Sequence, residues 1–288
     1  MRKKTAVSLV LLGAFFMSFN ALLIRLIDSA TGFQILLYRA LSMSALVLLV
    51  ILYKRRTYFI SSLKKVDVWD LLVGLFLGVA FTTYVFSIIF TSVAASLFIL
   101  STSPLIATFL AWRLLGEIPS LSAIVAMILS LIGVFIMVYE GLVLEKNLGY
   151  FLALISALAF ASMLVATRGS KKADILTGTF LGGLISGLFG LLGAIVFSSG
   201  IIVSGYDILI SFVMGAFAIG LGITLVTSAA PFVPPSEVSV LVLLESFLGP
   251  VWVWLLLGES LTKNEFIGGF LIFFSVVLLA YKSQKIKS

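Results

Sequence analysis

Glu245 to Glu259 reads ESFLGPVWVWLLLGE, an apolar segment with a carboxylate at its head and a Gly-Glu pair at its close. The segment SPLIATFLAWRLLGE ends the same way, Leu114-Leu115-Gly116-Glu117 answering Leu256-Leu257-Gly258-Glu259 at an offset of 142 in a chain of 288 residues. Tyr139 and Tyr281 each lie 22 residues beyond their Gly-Glu, and Arg25 and Arg168, 143 apart, each close an apolar segment. A period near half the chain points to a duplicated bundle, not to a solenoid of short units.

Composition sets the class. Hydrophobic residues are 61% of the chain and charged residues 11%, the latter half or less of what a soluble domain carries. Mean hydropathy is +1.26, and apolar runs long enough to cross about 30 Å of hydrocarbon recur throughout. This is an all-α integral membrane protein. A net charge of +7 would suggest nucleic acid as a partner in a soluble chain. Here the basic residues sit in loops, where the positive-inside rule accounts for them, and the partners implied are the lipid bilayer and a small molecule. No cysteine and no histidine are present, so thiol chemistry is excluded and the commonest metal ligand is missing.

Ten helices follow in order, at about Thr5–Ile24, Gly32–Tyr53, Val68–Phe90, Val93–Leu115 and Ser120–Tyr139, then Leu148–Thr167, Ile175–Ser198, Tyr206–Ala230, Ser236–Leu257 and Asn264–Tyr281. The basic start Met1-Arg2-Lys3-Lys4 resembles a signal peptide. The apolar run behind it holds Asn20 and lacks a small-residue cleavage site, so it reads as a retained helix. Pro231, Pro234 and Pro235 mark the stop of helix eight and the start of helix nine. Residues 1–140 form one repeat and 147–288 the other, joined by an external loop at 141–146.

With the N-terminus in the cytoplasm, fifteen of the nineteen Lys and Arg fall inside, three outside, and Arg39 within helix two. That bias places both termini in the cytoplasm. Five is odd, so two five-helix repeats insert with opposite topology. Inverted repeats around a central site are the architecture of secondary transporters.

The two LLGE closures, Tyr38-Arg39 in helix two and TSVAASLF at the entry to helix four resemble the EamA-type members of the drug/metabolite transporter superfamily across nearly the whole chain. One departure is Ser246, where the family often has proline directly after the helix-nine carboxylate. The resemblance implies a cavity lined by helices one, three, four, six, eight and nine, with five and ten peripheral. It also implies transport of small metabolites without naming one.

An ionisable group within the membrane is a functional candidate by default. Glu245 lies about eight residues, roughly 12 Å, into helix nine. Lining a cavity, it would bind a substrate ammonium or carry a proton; the alternative is a packing role. Arg39 is open to four readings: a substrate carboxylate, Glu245, an outward reach to the interface, or bonds to helix ends. Tyr38 beside it, Asn20, Tyr84, Ser101, Thr102 and Ser103 are the uncharged candidates, although serine and threonine also bond to their own helix. Pro104 frees a backbone carbonyl in helix four. Trp252 and Trp254 read as interfacial anchors, with Trp252 also a candidate for the cavity wall. Glu237 suits the positive start of helix nine, the Gly-Glu pairs suit helix ends, and the glycines of helix seven suit close packing.

The sequence thus indicates a multi-pass cell-membrane carrier, working by alternating access on small polar or amphipathic metabolites, with amino acids or derivatives implied by the resemblance. The competing readings are a channel-like facilitator, an uptake carrier for nucleotide-derived or sugar metabolites, and a non-transporting scaffold. No P-loop, metal cluster, cofactor motif or catalytic constellation is visible, so neither an ATP-driven pump nor an enzyme is expected. Substrate identity, direction of flux, proton coupling and homodimerisation stay open on the sequence.

Overall fold

A computed structural model describes residues 1–55, 66–90, 96, 99–138, 147–172, 175–198, 200–258 and 263–285. Glu259, Tyr139, the 141–146 loop and most of TSVAASLF lie outside them. All regular structure among the described residues is helical: α1 Lys3–Arg25, α2 Gly32–Arg55, α3 Val68–Phe90, α4 Ser103–Leu115, α5 Leu121–Val138, α6 Asn147–Gly169 and α7 Leu176–Phe197. α8 Gly205–Phe232 and α9 Pro235–Leu257 precede α10 Lys263–Lys285. α1, α2, α3, α6, α7, α8 and α9 are long and apolar enough to cross a membrane, and α4, α5 and α10 contribute shorter apolar helices.

Three helices depart from the continuous rods expected. α8 is an α-helix over Gly205–Val213, a π-helix over Met214–Leu221, an α-helix over Gly222–Ala229 and a 3-10 turn at Ala230–Phe232. Regular α4 begins only at Ser103, after a turn at Ser101-Thr102, and α9 breaks at Leu243 between Pro235–Val242 and Leu244–Leu257.

The largest helix pairings are kept when each helix is exchanged for the one five places on. α1 packs on α8 and α9 as α6 packs on α3 and α4; α2 packs on α8 as α7 packs on α3; α2 pairs with α7 and α5 with α10. Glycines bring the backbones together, as in close membrane crossings. Gly74 and Gly78 on α3 face Gly178 and Gly182 on α7, and a Cβ on Gly74 would stand 3.1 Å from the Gly178 carbonyl oxygen. A Cβ on Gly13 of α1 would stand 2.7 Å from the Gly222 carbonyl oxygen of α8.

The repeated LLGE is a helix end, as expected. Gly116 and Gly258 take φ of 68° and 71°, the left-handed conformation that costs glycine nothing. The Gly116 and Glu117 amides donate back to Trp112 O at 3.1 Å and Ala111 O at 3.3 Å, which caps the last carbonyls of α4. Glu117 then reaches Arg168 at the end of α6, Nε to Oε1 2.7 Å, and Arg168 also donates to Pro231 O at the end of α8. Gly116-Glu117 and Arg168 are therefore two parts of one junction.

The same end of the bundle carries three more ion pairs among the described residues. Glu237, in the first turn of α9 as expected, meets Lys3 of α1 at 2.9 Å. Lys172, from the α6–α7 loop, meets Asp70 in the first turn of α3 at 2.6 Å and Asp67 at 2.7 Å. The hydrogen bond from Lys172 holds the Asp67 carboxyl below its ordinary range. Partial burial disfavours the Lys172 charge, but the bonds to Asp67 and Asp70 outweigh it and raise its pKa.

The opposite end is fastened differently. Asp207, in the first turn of α8, accepts from the Asp28, Ser29 and Ala30 amides at 3.0, 3.1 and 3.0 Å and from Ser29 Oγ at 2.7 Å. Asp70 and Asp207 thus occupy equivalent helix starts, and each holds the first loop of the other repeat.

Candidate substrate cavity

Between the repeats lies a cavity of about 100 Å³. Its walls come from α1, α2, α3, α4, α6, α8 and α9, together with Leu100 just before α4; α5 and α10 contribute none of them. The resemblance implied this set apart from α2, which enters through Arg39.

The broken helices shape its centre. Pro104 has no N–H, so the Leu100 carbonyl loses its helical donor. The Thr102 amide turns to Ile99 O at 3.0 Å and the Leu105 amide to Thr102 O at 2.9 Å. In α9 the Leu243 amide bonds Val240 O at 3.1 Å and the Ser246 amide bonds Leu243 O at 3.0 Å, which takes the Ser246 donor from Val242 O. Ser101 and Leu243 are 142 residues apart, so the fourth helix of each repeat breaks at the same place. Leu100, Ser103, Val242 and Glu245 flank the two breaks and all line the cavity.

Arg39 is 2% exposed, not extended to the interface. Its Nη2 donates to the Phe81 carbonyl at 3.3 Å, and its guanidinium stands 5.6 Å from the centre of the Phe81 ring, where a cation is attracted to the π face. Its Nη1 is buried without a hydrogen-bond partner. Glu245 lies in the same cavity and within reach of the Arg39 charge, yet no ion pair joins them among the described residues. The Glu245 carboxylate, half-buried, takes no hydrogen bond there either. Asn20 is 3% exposed, and its Oδ1 also lacks a partner; Tyr84 stands beside it.

The structure therefore gathers Asn20, Arg39, Tyr84, Ser103 and Glu245 on one cavity. It sends the other candidates elsewhere. Tyr38 donates from its hydroxyl to Ile201 O at 2.6 Å in the loop after α7. Thr102 Oγ1 bonds its own helix at Ile99 O, 2.6 Å, and Ser101 is fully buried off the cavity. Trp252 donates to Ser18 Oγ at 2.8 Å and stacks on Phe19 at 4.7 Å, fixing α9 to α1. Sequence reasoning missed Ser156, Ser239 and Ser246, whose side chains also line the cavity. Ser156 Oγ bonds Ala80 O at 2.9 Å and Ser239 Oγ bonds Pro235 O at 2.8 Å, so these two are satisfied within the protein. The repeat offers a signal for part of the wall: Leu100 and Val242, like Ser103 and Glu245, are separated by the same 142 residues.

No curated protein matches the sequence. Among solved structures 29 chains match, and one, described as the crystal structure of a protein, superposes with a TM-score of 0.82 over 100% of both chains at 16% identity, a likeness of fold. The model of the EamA-like transporter family matches residues 4–139 and again 147–281. The duplication read from the two LLGE closures is thus the family's own unit used twice, and the chain belongs to the EamA-like transporter family, a family of multi-pass membrane transporters.

Proposed function

We propose that the protein is a secondary transporter of the cell membrane that binds a small polar or amphipathic metabolite, an amino acid or derivative, between its repeats. It rocks one repeat against the other to expose the cavity alternately to either side. The reading takes ten spanning helices as two inverted repeats with both termini in the cytoplasm.

The observation that carries it is the set of unfilled valences around one cavity. A buried polar atom without a partner costs about 1–3 kcal/mol, and more when charged. Arg39 Nη1 and Asn20 Oδ1 are both in that position, and Glu245 is unbonded beside them. A ligand with a carboxylate for Arg39 and an ammonium for Glu245 and Asn20 satisfies all three while leaving the cavity's charge balanced. The apolar wall of Met17, Phe81, Phe160 and Ile219 receives the rest of an amphipathic molecule.

Counterflow in proteoliposomes tests it. Vesicles loaded with unlabelled amino acids, nucleosides or sugars are assayed for uptake of trace label. The expected result is saturable accumulation that needs internal amino acid, with altered pH dependence or affinity in Glu245→Gln. Flux without counterflow indicates a channel-like pathway. Silence across the panel, or a Glu245→Gln profile unchanged from pH 5 to 8, refutes the reading of substrate or of Glu245 respectively.

A further inference from the structure

The π-helical stretch of α8 has no use in the reading above. A π turn holds an extra residue, is costly in isolation and concentrates at functional sites. Here it covers Met214–Leu221 and packs along α2. The closest approach is at Gly215: a Cβ there would overlap the Arg39 carbonyl oxygen and Ser42 Oγ, and would stand 2.7 Å from the Arg39 carbonyl carbon. Four residues on, Ile219 lines the cavity. Gly220, within the same stretch, admits no Cβ without meeting Gly215 O at 2.7 Å.

Arg39 is therefore held at two points. Its backbone rests on the π turn at Gly215, and its guanidinium hangs from Phe81 O by a single bond of 3.3 Å, already near the long limit. A small displacement of α2 breaks that bond and swings the free Nη1. We propose that Gly215 and the π turn around it are the positioning element that sets Arg39 in the cavity, and so determine its preference for an anionic group. The inference rests on the cavity reading above, but its test requires no transported substrate.

The chain has no cysteine, so Ser103→Cys places a single thiol on the cavity wall. Its labelling rates with an anionic and a cationic methanethiosulfonate of similar size give a ratio that reports the Arg39 charge. At an assumed separation of about 8 Å, one charge changes that ratio about fivefold even at the dielectric of water. Arg39→Met is expected to lower it by about that factor, and Arg39→Lys to retain most of it. Gly215→Ala is expected to lower it at least halfway toward Arg39→Met. Gly220→Ala is expected to act in the same direction and supplies the reading if Gly215→Ala does not fold. A folded glycine variant that keeps the parent ratio while Arg39→Met loses it overturns the proposal. So does a thiol inert to both reagents, or a ratio that ignores Arg39→Met. Silence in counterflow with a glycine-dependent ratio sinks the transport reading alone.

Discussion

Lys172→Met tests whether the α6–α7 loop is fastened to α3 by charge. Lys172 Nζ stands 2.6 Å from Asp70 and 2.7 Å from Asp67, with side-chain exposures of 29%, 5% and 42% for the lysine, Asp70 and Asp67. Removing one partner of a fully buried pair costs about 3–5 kcal/mol. Lys172 retains water contact, Asp67 is too exposed to add much, and the start of α3 returns up to about 1 kcal/mol to Asp70. The expected loss is about 2 kcal/mol, or roughly 5 °C in the midpoint of thermal unfolding in detergent. Asp70→Asn added to Lys172→Met should recover most of it, since no buried charge is then left uncompensated and Asp67 stays hydrated. The pH dependence follows from the two shifts. Asp67 titrates lower in the folded protein, so its contribution is full above the ordinary carboxyl value near 4 and is lost as pH falls. Lys172 titrates higher, so its contribution is full below about 10 and is lost as pH rises further. The difference between parent and Lys172→Met should therefore stay flat between about pH 5 and 9 and shrink at both extremes. A loss under about 0.5 kcal/mol at pH 7, a slope within that window, or a double variant no better than the single one refutes the reasoning.

Glu117→Gln and Arg168→Gln, taken with their double variant, should show a coupling of about 1 kcal/mol for a pair at 2.7 Å with both side chains 28% exposed; a coupling under about 0.3 kcal/mol removes the junction from the fold's energetics. Gly78→Leu should destabilise by more than about 2 kcal/mol in thermal unfolding, because even its Cβ would stand 2.6 Å from Ile185 Cγ2 and 3.2 Å from Gly182 O. Gly205→Ala, where a Cβ meets nothing within 4 Å, is the control and should change little; equal losses at the two sites would refute the packing role of the α3–α7 crossing.

Much of the fold was legible because its signals are local. An apolar run long enough to span, a proline at a helix start and a Gly-Glu closure each depend on a few neighbouring residues. The lining of the candidate cavity was legible where a rule of cost applied. Arg39, Glu245 and Asn20 are expensive to bury in an apolar segment, and all three face the cavity. Tyr38, Thr102 and Trp252 are amphipathic, and such residues find partners at a loop carbonyl, in their own helix or on a neighbouring serine as readily as in a ligand site. The π turn of α8 and the break of α9 at Leu243 were not legible. In α4 proline announces the break, but in α9 Ser246 has an N–H that could continue the helix and instead bonds one residue short. Nor did the sequence disclose that Asp70 and Asp207 are counterparts, since their partners lie in the loops of the opposite repeat.

Those two aspartates have a thermodynamic consequence. The proposed transport cycle alternates two arrangements of repeats built on one family unit, which identical repeats would populate equally. The fasteners are unequal: Asp207 is held by amides and a hydroxyl, which dissolved ions barely weaken, whereas Asp70 is held by an ammonium, which they screen. In the proposed cycle, the balance between the two arrangements is then expected to follow the ionic medium on the lysine side. Under that proposal a duplicated chain would take a salt-dependent resting orientation from the difference between a peptide dipole and a formal charge.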